Sequence, residues 1–247
     1  MKHLKRVWPL AASFALGVWL TFSILSHFRR PSQPQGASQT QDPADAFHRR
    51  YYERYRETWM NTYWLGVQTL QMPLDMWIIQ EMIYEVRPDV LIETGTFDGG
   101  SALFFASVFD LVDQGRVITV DVTRRPKVPD HPRIRYLSGS SVSGEILAQI
   151  RDMIRPGERV MVVLDSGHRK EHVLQELRSY SPLVTAGSYL VVEDTNVNGH
   201  PVDPDFGPGP MEAVEEFLAA NRDFESDRSR EKFEFTFNPR GYLKRVR

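Results

Sequence analysis

Between residues 74 and 246, short apolar runs alternate with stretches whose apolar residues recur every three or four positions. The runs Val90–Glu93, Arg116–Asp121, Arg133–Leu137, Val160–Leu164 and Ser188–Val192 read as strands. Val160-Met-Val-Val-Leu164 is continuously apolar, the pattern of a strand buried on both faces. The periodic stretches Leu74–Val86, Ser101–Val112, Ser143–Met153, His172–Tyr180 and Met211–Asn221 read as helices, and Ala46–Asn61 adds helical material before them. Two late β-like runs, Lys232–Phe237 and Tyr242–Val246, flank the turn signal Asn238-Pro-Arg-Gly241 and are expected to pair as a hairpin. Strands that alternate with helices imply an α/β fold: a mainly parallel sheet, here of seven strands, with helices on both faces. In such sheets ligands bind beyond the carboxyl ends of the strands, so strand ends are where chemistry is sought.

The N-terminus departs from this pattern. Val7 to Phe28 contains no Asp, Glu, Lys or Arg. Its roughly 22 residues would span roughly 30 Å of hydrocarbon as a helix. Lys2, Lys5 and Arg6 precede the run, and Arg29 and Arg30 close it. Residues 1–30 are therefore expected to be a single transmembrane anchor. A cleaved signal peptide and a buried helix are the competing readings; no clear small-x-small site precedes the arginine pair. Pro31 to Ala44 is rich in Pro, Gln and Ser and is expected to be a flexible linker. The folded domain is expected over residues 45–247.

Charge sharpens this division. The chain carries a net −2, but residues 1–50 carry +5, which leaves −7 for the rest. An acidic domain lacks the basic face that nucleic acid rewards, so nucleic acid is not an expected partner. The basic flank fits a membrane surface. There is no Cys, which removes disulfides, thiol nucleophiles and thiolate metal sites.

The first strand runs into Glu93-Thr-Gly95-Thr96-Phe-Asp-Gly99-Gly100-Ser101. Its glycines allow a tight turn and close backbone approach to a ligand where a helix begins. The dinucleotide pattern G-x-G-x-x-G is absent, because position 97 is Phe. An acidic Glu93 would repel a pyrophosphate and favour the cationic amino and sulfonium groups of S-adenosylmethionine. Asp121 ends the second strand and can accept ribose hydroxyls, a role shared with nicotinamide enzymes. Ser140, in the loop after the third strand, is placed to line the adenine. The expected cofactor residues are thus Glu93, Gly95, Thr96, Gly99, Ser101, Asp121 and Ser140.

Asp165 ends the fourth strand and Glu193-Asp194 the fifth. Carboxylates converging on one rim repel one another unless paired or metal-bound. An all-oxygen set of Asp165, Glu193 and Asp194 suits a hard cation, Mg²⁺ first and Mn²⁺ second. Helix capping by these Asp residues is the alternative. His168 is either a general base or a capping or surface residue, and His172, one turn on, reads as surface.

These residues carry a family resemblance. Leu65-Gly66, Pro73-Leu-Asp75, Glu93-Thr-Gly95, Gly99-Gly-Ser-Ala102, Leu164-Asp-Ser166, His168, Val192-Glu-Asp-Thr195, Gly207-Pro-Gly-Pro210 and Ala213-Val214 resemble the cephalosporin hydroxylase / rhamnosyl O-methyltransferase family. The resemblance runs from about Trp59 to the C-terminus. It implies the Rossmann-like fold of a class I methyltransferase, cofactor contacts from Glu93–Ser101, and a metal at Asp165, Glu193 and Asp194. A terminal hairpin on the sheet agrees with that plan. The expected function is O-methylation of a hydroxyl on a sugar, glycolipid or related envelope metabolite, between walls formed by Trp64–Asp75 and Thr195–Pro210. A small-molecule or glycolipid acceptor and the membrane are the expected partners; self-association is left open. Since S-adenosylmethionine is a cytosolic metabolite, a cytoplasmic-facing domain is expected. Three rivals stand: an inactive membrane-anchored cofactor-binding scaffold, a nicotinamide oxidoreductase, and a non-heme iron hydroxylase in which His168, His172 and Asp165 would form the triad.

Overall fold

The computed structural model describes residues 42–247, which form one compact unit. The expected anchor (1–30) and nearly all of the expected linker lie outside the described residues. Among the described residues, no helix is long and apolar enough to cross a membrane.

Helix α1 (Pro43–Glu53) opens the fold. The Asp42 carboxylate caps it by accepting from the amide of Ala44, and Pro43 occupies the first turn, where no helical amide is needed. It therefore takes in Pro43 and Ala44, which composition assigns to the linker. It stops at Glu53, short of the expected Asn61, and a 3₁₀ turn at Trp59–Asn61 follows. A small antiparallel pair, β1 (Tyr63–Trp64) and β2 (Val67–Gln68), leads to α2 (Pro73–Val86).

The main sheet then builds outward from β3 (Val90–Thr94). Helix α3 (Gly100–Val112), β4 (Arg116–Asp121) and β5 (Ile134–Ser138) extend it one way. The chain returns through α4 (Gly144–Asp152) to β6 (Val160–Leu164), then continues through α5 (Lys170–Tyr180), β7 (Tyr189–Val192) and α6 (Pro210–Ala220). Strands β8 (Phe224–Ser226) and β9 (Tyr242–Arg245) finish the sheet. The spatial order is β5-β4-β3-β6-β7-β9-β8, with the first five strands parallel and β9 antiparallel to both of its neighbours.

Alternation along the strands splits the core into two layers. Val160, Val162 and Leu164 face α4, α5 and α6, while Met161 and Val163 face α2 and α3. Each such buried side chain stabilises the fold by about 1.5–3 kcal/mol relative to exposure. Order reverses between β3 and β6, which opens a crevice at their carboxyl ends.

The expected terminal hairpin is corrected. The partner of β9 is β8, not Lys232–Phe237. That run instead crosses the strand ends: the amide of Phe237 donates to Asp75 (2.8 Å), its carbonyl accepts from Asn196, and the Phe235 and Phe237 rings pack against α1. Its aromatic residues are spent on docking α1, so its backbone is not available to the sheet.

Candidate active site

A cavity of about 560 Å³ lies over the crevice, within the size range of small-molecule sites. Gly95, Ser101, Asp121 and Ser140 border it from the β3–β5 half, and Asp165, His168 and Asp194 from the β6–β7 half.

Strand ends fix the first group. Gly95 has φ +92°, and a Cβ added there would lie 1.8 Å from the carbonyl oxygen of Asp165. Only glycine lets β3 and β6 end side by side. Asp121 Oδ2 accepts from the amide of Phe97 (2.9 Å) and Oδ1 from that of Thr123 (3.1 Å). Those two bonds orient the carboxylate and leave lone pairs for ligand hydroxyls.

Three expected cofactor residues do not border the cavity. Glu93 is buried and accepts from Thr119 Oγ1 (2.5 Å). Burial, with help from the Asp121 charge, pushes its carboxyl up to about 7 against the bonds from Ser101 and Thr119. Thr96 Oγ1 joins Thr119 (2.6 Å) in the same buried network. Gly99, at φ +81°, is the N-cap residue just before α3. These residues shape the loop from behind.

The second group converges. Ligand atoms of Asp165, His168 and Asp194 all lie within 4.8 Å of one another. His168 Nε2 is 3.4 Å from Asp194 Oδ2. Burial and the neighbouring Glu193 and Asp194 charges push the Asp165 carboxyl well up. Gln71, which sequence reasoning did not single out, donates from Nε2 to Asp165 Oδ2 (2.6 Å). Asp194 adopts φ +56° and donates its amide to Asn238 Oδ1 (3.0 Å), which turns its carboxylate toward the cavity side of β7. Glu193 stands beside this group rather than in it. It is buried, its carboxyl is pushed well up by burial and by Asp75, and its Oε1 has no hydrogen-bond partner among the described residues.

His172 is corrected from a surface residue to a wall residue. Its Nε2 lies 3.0 Å from Ser166 Oγ and 3.5 Å from the carboxylate of buried Glu176. Its orientation toward Ser166 and Glu176 also removes the His–His–Asp iron triad, since His172 is not in the converging group. The expected acceptor walls are present in part: Thr69 and Leu70 from the first segment, and Val197 and Phe206 from the second, line the cavity. Tyr52 and Trp59 complete it from α1 and the following turn. Nothing in their local pattern marks them; both precede the strands of the main sheet, whose ends carry the other site residues.

Comparison with known proteins now decides the family. The family model for rhamnosyl O-methyltransferase/CmcI matches residues 56–246. The chain belongs to that family. It is 41% identical over 211 residues to the rhamnosyl O-methyltransferase of Mycobacterium leprae (strain TN), across 83% of this chain and 91% of that protein. It is 39% identical over 208 residues to the one from Mycobacterium tuberculosis (strain ATCC 25618 / H37Rv), across 81% and 84%. Among solved structures, an apo structure of CmcI superposes with TM-score 0.61 at 20% identity, covering 100% of this chain and 88% of that one. CmcI with Mg-SAM superposes at 0.59 and 18%, with the same coverage. These structures establish the Rossmann-like methyltransferase fold, and the family establishes the enzyme class: an S-adenosylmethionine-dependent O-methyltransferase.

Proposed function

We propose that this family member methylates a sugar hydroxyl on a glycolipid acceptor with the help of a divalent cation. The carrying observation is the convergence of Asp165, His168 and Asp194 at one end of a cavity whose other half is bordered by Asp121 and Ser140. The donor set fits a hard cation: the Asp165 and Asp194 carboxylates converge with His168, and Glu193, next in sequence to Asp194, has a buried Oε1 with no hydrogen-bond partner among the described residues. The cofactor half fits S-adenosylmethionine, with Asp121 holding the ribose hydroxyls and Gly95 allowing close backbone approach. The names of the mycobacterial relatives favour a rhamnosyl acceptor.

A bound cation supplies positive charge that favours the ionised form of a neighbouring hydroxyl. Asp165, Asp194 and Glu193 would hold it, and Gln71 fixes the Asp165 carboxylate in place. His168 Nε2, at the rim, takes the proton of the acceptor hydroxyl. The cavity walls hold acceptor and cofactor together, and such positioning supplies much of the rate in a one-step group transfer. Tyr52, Trp59 and Phe206 exclude water from that side.

Turnover should vanish in EDTA and return with Mg²⁺ or Mn²⁺. Asp165→Asn and Asp194→Asn should lower kcat about 100-fold or more, several kcal/mol of lost charge stabilisation. Binding of S-adenosylhomocysteine in calorimetry should change far less. Full activity in EDTA would reassign these carboxylates to capping.

A further inference from the structure

The acceptor half of the cavity has no contact yet assigned to the acceptor's ring. Strand order places β7 three strands from β4, about 14 Å at the usual strand spacing. Asp121 on β4 and Ser140 after β5 therefore mark the cofactor end, and Asp194 after β7 marks the opposite end. Tyr52 and Trp59 belong to the β7 end. Tyr52 packs on Phe237 (5.8 Å between ring centres), whose carbonyl accepts from the amide of Asn196 just beyond β7. The Asp194 and Asp203 carboxylates add to burial in raising the Tyr52 hydroxyl up to about 12, so it stays a neutral hydrogen-bond donor.

The two rings form a built surface. They stack at 5.6 Å with 24° between planes, and Trp59 Nε1 donates to the carbonyl of Tyr52 (3.3 Å), which fixes the indole. Leu70 and Phe206 border the same cavity, and Phe206 is held under the guanidinium of Arg169 (4.5 Å). An aromatic pair beside a cluster of carboxylates and an imidazole presents two chemistries at once. The ring faces carry negative potential and attract the C–H-rich face of a pyranose. The carboxylate and imidazole groups reach its hydroxyls.

We propose that the Tyr52–Trp59 pair is the platform on which the acceptor pyranose stacks. The inference rests on the sugar-hydroxyl reading above.

The test uses the full chain in detergent, with methyl α-L-rhamnopyranoside as the probe. Saturation-transfer NMR should show the rhamnoside ring protons in contact with the protein, and Trp59→Ala should abolish the effect. In turnover, Trp59→Ala and Tyr52→Ala should raise KM for the rhamnoside about tenfold, the weight of one aromatic contact. S-adenosylhomocysteine affinity should stay within about twofold in both variants, which also reports that they are folded. Unchanged KM in both variants, or an equal loss of S-adenosylhomocysteine binding, overturns the platform while the sugar-hydroxyl reading stands. Trp59-dependent contact without methyl transfer supports the platform and removes that sugar as the methylated acceptor. Absence of rhamnoside contact with the unmutated chain overturns the platform.

Discussion

Gly95 occupies the point where the ends of β3 and β6 touch, and two separate penalties meet there. A side chain would have to adopt φ +92°, and its Cβ would sit 1.8 Å from the Asp165 carbonyl oxygen. Gly157 shares the first penalty, at φ +86°, but has nothing within 4 Å. Gly157→Ala should therefore cost about 1 kcal/mol, the left-handed penalty alone. Gly95→Ala adds overpacking against rigid backbone and should cost about 3–5 kcal/mol in urea unfolding, with S-adenosylhomocysteine binding lost. Equal costs at the two sites would mean that the strand ends separate freely, and would remove the steric account of this turn. Gly95, Asp121, Asp165 and Asp194 were legible because each ends a strand whose apolar run is visible in the sequence. Tyr52, Gln71 and His172 were not, because their roles depend on contacts made across the fold. Gln71 reaches Asp165 over 94 positions of chain. Glu93 shows the converse: its position was legible, but its depth behind the loop depended on the buried threonines Thr96 and Thr119.

At the scale of elements, β4 and β6 coincide with the apolar runs that predict them. Both are buried strands of a parallel sheet, where burial and periodicity give the same answer. The late run Lys232–Phe237 has strand-like alternation too, but its Phe residues are claimed by α1. That docking has a titratable centre. His48 is buried, its Nε2 accepts from Asn196 Nδ2 (2.9 Å), and its ring stacks on Phe237 with 1° between planes. Burial, with Arg49 nearby, lowers its pKa from 6.5 to about 4. Between those values the unfolded chain binds a proton that the folded chain refuses. Stability from this site is thus complete above pH 6.5 and falls as pH drops toward 4, by about 2–3 kcal/mol over the window. The raised carboxyls of Asp75 and Glu93 act in the opposite sense over this range, so the test is a difference: in urea unfolding at pH 7.5 and pH 4.5, the chain should lose about 2–3 kcal/mol relative to His48→Gln on going to the lower pH. An equal change in the variant would place the acid sensitivity elsewhere.

At the scale of the whole molecule, a catalytic domain on a membrane anchor would have to lie on the side that holds its cofactor. The run Val7–Phe28, outside the described residues, is long enough to span a bilayer. Two arguments set the orientation and they disagree. Lys2, Lys5 and Arg6 outnumber Arg29 and Arg30, which by the positive-inside rule keeps the N-terminus in the cytoplasm and exports the domain. That margin is one charge, and Arg49 and Arg50 lie at the edge of the counting window. Against it stands the enzyme class: an exported domain would meet no S-adenosylmethionine. A one-charge bias is a small free energy, whereas a missing methyl donor abolishes turnover, so the second argument prevails. We predict a single anchor with the domain facing the cytoplasm, where lipid-linked acceptors would be met in two dimensions at raised effective concentration. Green fluorescent protein fused to the C-terminus should fluoresce in cells, and alkaline phosphatase at the same position should stay inactive. The reverse pair of results would export the domain and leave methyl transfer without its donor.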